Sequence, residues 1–174
     1  MSGGPYWPKK TIRGTTYDLS HLHPFVLDVA GGDPAAPILK VLVSFDLHTF
    51  TRKRFNADTP DLFLGRNGDP RSFCIQRFGC SQYLPDMIRR AATGNILKSH
   101  EPKFLCAETI PVVSGQYAAI FLIERAKIPD VHARMFVISA HERTNALAQM
   151  EAISFYTVIR KVTAGEPIPW PKKK

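Results

Sequence analysis

The chain has 174 residues, 44% of them apolar, and a formal charge of +8 from 23 basic and 15 acidic side chains. That length suits one domain with one substantial core, and the apolar content argues against global disorder. The charge favours an anionic partner, RNA or another polyanion or an acidic protein. The three cysteines, Cys74, Cys80 and Cys106, are too sparse and odd in number for a secreted disulfide framework. They read as free thiols in a reducing compartment. The start M-S-G-G-P-Y-W-P-K-K has no apolar stretch of the signal-peptide kind behind it. No run of about 18 apolar residues offers a membrane span. A cytoplasmic protein with no membrane partner is the expectation.

Residues 1–16, with Gly, Pro, Lys and Thr in no period, read as an N-terminal arm, with Tyr6 and Trp7 available to pair with the body. Phe25 to Val29 is a short strand candidate, followed by a G-G-D-P-A-A-P loop. The run I-L-K-V-L-V-S-F, residues 38–45, is the clearest early strand, and the two should pair as an antiparallel hairpin. Residues 56–70 carry Asn, Asp, Gly and Pro and read as a long loop. Residues 71–78 alternate partly and read as a strand. A helix follows, with Ser81 as N-cap, Pro85 and Asp86 in its first turn and Gly94 at its stop. Residues 104–113 read as a strand that Pro111 confines to an edge or ends early.

Within residues 117–126, Y-A-A-I-F-L-I-E-R-A, and residues 131–143, V-H-A-R-M-F-V-I-S-A-H-E-R, the stretches Tyr117 to Ile123 and Ala133 to Ser139 form the expected core hairpin. Residues 144–153 have an alanine-rich helical composition, and residues 155–162 fit strand and helix equally. The prolines of G-E-P-I-P-W-P-K-K-K forbid a helix, so the end reads as an extended basic tail. The assignment is a single α+β domain over residues 17–165, mainly antiparallel sheet with a few packed helices, flanked by the arm and a tail at 166–174.

Basic residues fall in clusters. Arg52, Lys53 and Arg54 are contiguous, Arg89 and Arg90 end the expected helix, and Lys172, Lys173 and Lys174 end the chain. Arg125, Arg134, Arg160 and Lys161 lie on or beside the expected sheet. Converging, they would track phosphates, with Phe78, Tyr83, Tyr156 and Trp170 as stacking faces. The plainer reading gives the charges to the solvated surface and the aromatics to the core.

Cutting RNA through its 2′-hydroxyl needs a base, an acid for the leaving oxygen and a cation for the phosphorane-like charge. The strand end supplies such residues. His141 or His48 serves as acid or base, Glu142 as an alternative base, and Arg143 with Arg90 as the phosphate clamp. The plainer reading makes His21, His48 and His132 structural. A metal rival would use Cys74, Cys80, His21, His23 and His48, but five residues between the cysteines is not a finger spacing and no H-E-x-x-H occurs. The Walker A, dinucleotide-binding and nucleophile-elbow motifs are absent as well, so no metal or cofactor is expected. Cys106, in an apolar run, reads as a buried thiol.

The two apolar runs, their Pro-Asp turn and the terminal H-E-R resemble the late core of the RelE/ParE-type toxin family. That resemblance implies a small α+β fold and an antitoxin partner. It also implies either cleavage of ribosome-bound messenger RNA or gyrase poisoning without cleavage. His141 and Arg143 match the family's terminal pair, and Arg125 an early-strand basic position. The chain departs from the family in its length, its N-terminal Y-D-L-S-H-L-H-P-F region and the lack of a terminal tyrosine after the arginine. The whole sequence is also similar to conserved bacterial proteins with a Y-D-L-S-H-L opening, a resemblance that implies no activity. The function expected is a metal-independent, toxin-like endoribonuclease. The alternative is a non-catalytic nucleic-acid- or protein-binding protein, in phage defence or its inhibition.

Overall fold

A computed structural model describes residues 6–55, 62–65, 67–99, 101–143, 147 and 150–171. In chain order its elements are β1 (Lys10–Ile12), β2 (Thr15–Tyr17), β3 (Phe25–Val29), β4 (Leu39–Phe45), β5 (Thr51–Lys53), β6 (Leu62–Leu64), β7 (Pro70–Phe73), α1 (Ile75–Ser81), α2 (Leu84–Ala91), β8 (Asn95–Lys98), β9 (Phe104–Thr109), β10 (Gln116–Arg125), β11 (Ala133–Arg143), β12 (Ala152–Ser154) and α3 (Phe155–Ala164). The fold is α+β.

Seven strands form the main sheet, ordered β12-β8-β9-β10-β11-β4-β3. The long hairpin lies at its centre, running from Gln116 opposite Arg143 to Arg125 opposite Ala133, with a register shift at Ile120 and Phe121. Neighbours pair antiparallel except β4 and β11, which run parallel. Directly opposed residues share a face. Tyr117, Ala119 and Phe121 therefore share one with Cys106 and Phe104 of β9 and with Ala140 and Val137 of β11. These side chains join α2 (Leu84, Met87, Ile88) and α3 (Phe155, Val158, Ile159) in one buried cluster. Burial drives the Cys106 thiol up to about 12, as suits a packing residue.

Residues 155–162 resolve as helix for local reasons. The Ser154 hydroxyl accepts from the Thr157 amide at 3.4 Å, and Gly165 at φ 73° closes the C-terminus in the left-handed region. The strand expected over 71–78 ends at Phe73, and α1 starts at Ile75. Ser81 belongs to that helix instead of capping the next one. Pro85 and Asp86 do occupy the first turn of α2, whose N-cap is Tyr83. The loop expected over 56–70 contains β6, which pairs with β7, and β7 with β5, in a three-stranded antiparallel sheet. The short β8 and β12 were not anticipated. Much of 144–153 lies outside the described residues, as do Lys172, Lys173 and Lys174.

The first and last described stretches are both fastened to the body. Trp7 Nε1 donates to the Phe45 carbonyl at 3.2 Å. Within the expected arm, Lys10–Ile12 pairs with Thr15–Tyr17. The turn between them holds Arg13 at φ 48° and Gly14 at φ 81°, the left-handed pair of a tight hairpin. In the tail, Trp170 packs on Phe104 with centroids 4.9 Å apart. The buried Lys98 donates to the Pro169 carbonyl at 2.8 Å and to Glu151 at 2.5 Å. Among the described residues no helix is long and apolar enough to cross a membrane.

Candidate functional site

At the open end of the central hairpin, His141, Glu142 and Arg143 close β11. Because side chains alternate along a strand, Glu142 shares the face of Tyr117, while His141 shares that of Ala118. Glu142 is engaged. Its Oε1 accepts from the Ser114 amide and hydroxyl at 3.0 Å each and from the Gly115 amide at 2.8 Å. These bonds, that of Gly115 foremost, hold the carboxyl below the usual carboxylate range. Gly115 itself must be glycine, since a Cβ there would lie 2.5 Å from the Arg143 carbonyl oxygen. Glu142 thus ties the β9–β10 connection to β11.

His141 is half-buried. Burial, and then the charges of Arg143 and Arg77, keep its pKa below the ordinary value. Arg90 lies elsewhere, forked on Glu108 with bonds of 2.6 and 3.0 Å. Glu108 is opposite Tyr117, so Arg90 is held two strands from β11, about 10 Å away, over the face opposite to that of His141.

Beyond β4 the chain makes a 3-10 turn at Leu47–Thr49 beside β11, anchored by the Asp46 amide on the Val137 carbonyl at 2.8 Å. Asp46 caps this turn, accepting from the His48 amide at 3.0 Å, and the same carboxylate oxygen holds His48 Nδ1. The other ring nitrogen, Nε2, lies 3.7 Å from Asp69 Oδ2. Asp69 in turn lies 3.5 Å from Arg71 Nη1. Arg71 donates through Nε to the Thr51 hydroxyl at 2.9 Å, and burial lowers its pKa. Gly65 makes room for this chain of charges, because a Cβ there would collide with the Asp69 carboxylate.

Arg77 of α1 completes the group. It donates to the carbonyls of His48 and Thr51 at 3.0 Å each, and its charge also reaches His141. The 3-10 turn, α1 and β11 therefore bring His48, Arg77 and His141 into one neighbourhood. Sequence reading did not single out Asp46, Asp69, Arg71 or Arg77. The Asp-Leu-His triplet at 46–48 carried a local signal, since Asp two residues before an amide is the spacing of a side-chain-capped turn. The others meet only through the fold.

The remaining basic positions are spread around the molecule. Arg52 and Lys53 lie on β5, with Arg54 next to them. Lys53, Arg54 and Arg71 line an open cleft with Asp69 and Pro70. Arg52 stacks over the ring of Phe55 at 4.6 Å, and Phe55 is 62% exposed. Arg89 pairs with Asp86 at 2.9 Å and lies over Phe25. Arg160 and Lys161 both engage Glu166. Arg125 and Arg134 stand at the turn end of the central hairpin, nine residues along β10 from Gln116, or about 30 Å. The expected basic positions form several groups, of which that at 52–54 is the longest contiguous run among the described residues.

The other histidines have structural partners. His21 Nε2 bonds the Ser81 hydroxyl at 2.8 Å, and burial lowers its pKa to about 4. His23 Nε2 bonds the Trp7 carbonyl, and His132 Nδ1 accepts from the Lys40 amide. Among the described residues no group of three or more His, Cys, Asp or Glu is placed to hold a metal ion.

A family model for the YjaZ family matches residues 9–163. The chain belongs to that family, and the match takes in the N-terminal hairpin, the main sheet and nearly all of α3. That match does not indicate a RelE/ParE-type protein, so the toxin-like resemblance of the central hairpin gains no support from it. Comparisons with curated proteins and with solved structures gave no significant match.

Proposed function

We propose that this member of the YjaZ family binds single-stranded RNA along its three-stranded sheet. The observation that carries this reading is the run Arg52-Lys53-Arg54-Phe55 at the surface, with Arg52 stacked on the exposed Phe55 ring. Cations supply contacts to successive phosphates, and an exposed aromatic face accepts any base, so the pair suits an unpaired strand. Lys53 offers an exposed cation on the other face of the ladder, opposite Arg71, whose guanidinium is held by Asp69 and Thr51. The net charge of +8 supports the same class of ligand.

The test is titration of the full chain into a fluorescently labelled single-stranded RNA at several salt concentrations. The reading predicts affinity that falls steeply with salt, with about 0.7 added to the log–log slope per phosphate contact. Salt-independent binding, or none at low salt, would refute it.

One observation supports a catalytic second reading: Arg77 bonds the backbone of His48 and acts on His141, and Asp46 orients the His48 ring. In that reading one histidine takes the proton of the RNA 2′-hydroxyl as its oxygen attacks phosphorus. The P–O5′ bond breaks, and the other histidine protonates the leaving 5′-oxygen. A 2′,3′-cyclic phosphate and a 5′-hydroxyl result. Incubation of the protein with a defined RNA, free and ribosome-bound and with and without chelator, beside His48→Ala and His141→Ala, decides it. Chelator-resistant cleavage lost in both variants is the expected result. Intact RNA with the unaltered protein eliminates catalysis and leaves the binding reading in place.

A further inference from the structure

The cleft where β5 ends and β7 begins is lined by Lys53, Arg54, Asp69, Pro70 and Arg71 and holds about 510 Å³, within the size range of small-ligand sites. Its three cations differ in what they do. Arg71 is committed, held by the Thr51 hydroxyl at 2.9 Å and by Asp69 at 3.5 Å. The side chains of Lys53 and Arg54 make no hydrogen bond or ion pair among the described residues, and Lys53 is exposed. These two are the charges that the cleft can offer to an anion.

The carboxylate of Asp69 sets this cleft apart from a plain phosphate-tracking patch. It is 44% exposed, with Oδ2 at 3.7 Å from His48 Nε2 and at 3.5 Å from Arg71 Nη1. Both separations exceed an ordinary hydrogen bond. A carboxylate offers about four acceptor positions and no donor, so Asp69 is steadied from one side and still has accepting capacity on the open side. It repels phosphate, and only a ligand hydrogen-bond donor offsets that repulsion. The sugar–phosphate backbone of DNA has no donor along its length. That of RNA has one per nucleotide, the 2′-hydroxyl.

We propose that this cleft seats one ribonucleotide unit of a strand and that Asp69 distinguishes RNA from DNA. Lys53 and Arg54 hold the phosphate, the Asp69 carboxylate accepts from the 2′-hydroxyl, and the exposed Pro70 offers an apolar surface to the sugar. A deoxy strand brings the same phosphate but no donor, so it leaves the carboxylate facing negative charge without a compensating bond. The inference deepens the strand-binding reading, on which it rests, by assigning the residue that selects the sugar.

The experiment measures the affinity of the full chain for labelled oligouridine, oligodeoxyuridine and 2′-O-methyl oligouridine of one length in one low-salt buffer. The methylated strand keeps the ribose oxygen but cannot donate. The RNA strand should bind about tenfold more tightly than either of the others. Asp69→Ala should bring the three affinities together, chiefly by raising those of the deoxy and methylated strands as the repulsion is lifted. A merely structural role for Asp69 would lower all three alike and leave their ratios unchanged. Asp69→Asn keeps the size and a neutral acceptor, so it should fall between, and it carries the test if Asp69→Ala lowers Tm. Equal affinities for the three strands, a methylated strand that binds as tightly as RNA, or undiminished discrimination in both variants overturns the proposal. In each of those cases RNA still binds, and the strand-binding reading survives alone. Failure of every strand to bind removes both.

Discussion

The H-E-R end of β11 and the small β5-β7-β6 sheet are both rich in charge, but they use it differently. At the strand end, Glu142 is committed to the Ser114–Gly115 turn, and Arg90, two strands away, is forked on Glu108. On the small sheet, Arg52, Lys53 and Arg54 run consecutively into exposed Phe55, and the Ser72 hydroxyl lacks a partner among the described residues. A carboxylate at a core strand end is therefore taken up by its own connection, whereas the basic run of the peripheral sheet lies at the surface. The main sheet spends its polar groups on holding connections in place.

The largest effect expected from this contrast is on stability. Phe121 is fully buried between β9 and β11, so Phe121→Ala should cost about 3–5 kcal/mol in chemical denaturation. Leu64, 73% exposed on β6, should tolerate Leu64→Ser within about 0.5 kcal/mol. Comparable losses at both positions would erase the distinction between the two sheets. Gly115→Ala comes next, at about 1–3 kcal/mol, because the added Cβ meets the Arg143 carbonyl.

A smaller effect is expected at Glu142. Its carboxyl has a depressed folded-state pKa, so its contribution is present above the ordinary value of 4.5 and is lost as pH falls through the lower folded value. Glu142→Ala should lower Tm at neutral pH, and the gap should close below pH 4.5. A constant gap across that range would contradict the turn-holding role. A separate effect, confined to acidic pH, concerns His21, whose folded pKa is about 4 against an ordinary 6.5. Between those values the unfolded chain binds a proton that the folded chain does not, so stability falls as pH drops through that window. His21→Gln should flatten the pH dependence of Tm between 6.5 and 4. An unchanged slope would show that the imidazole is not the titrating group.

The sequence made the main sheet more legible than the small one. Strands β3, β4, β10 and β11 announce themselves through runs of β-branched and aromatic residues, and their long register leaves little ambiguity. The three-residue strands β5 and β6 and the four-residue β7 carry too little pattern to be read, and Asn, Asp, Gly and Pro between them point to loop. Residues 71–78 misled because one alternating stretch spans the end of β7 and the first turn of α1. The basic run at 52–54 was visible as composition. The Asp46–His48–Asp69–Arg71 chain and the grip of Arg77 on His48 were not, since they join positions up to 29 residues apart. Only the return of the chain through β7 and α1 places them together.

We propose that RNA is held by the small sheet and not by the end of β11. Affinity of single-stranded RNA for Lys53→Glu/Arg54→Glu, measured beside Arg143→Gln in the same low-salt buffer, tests it most directly. A loss on the order of 10- to 100-fold is expected for the first variant, and an affinity close to that of the unaltered chain for the second. Full binding by the Lys53→Glu/Arg54→Glu chain, with the loss falling on Arg143→Gln, would contradict it.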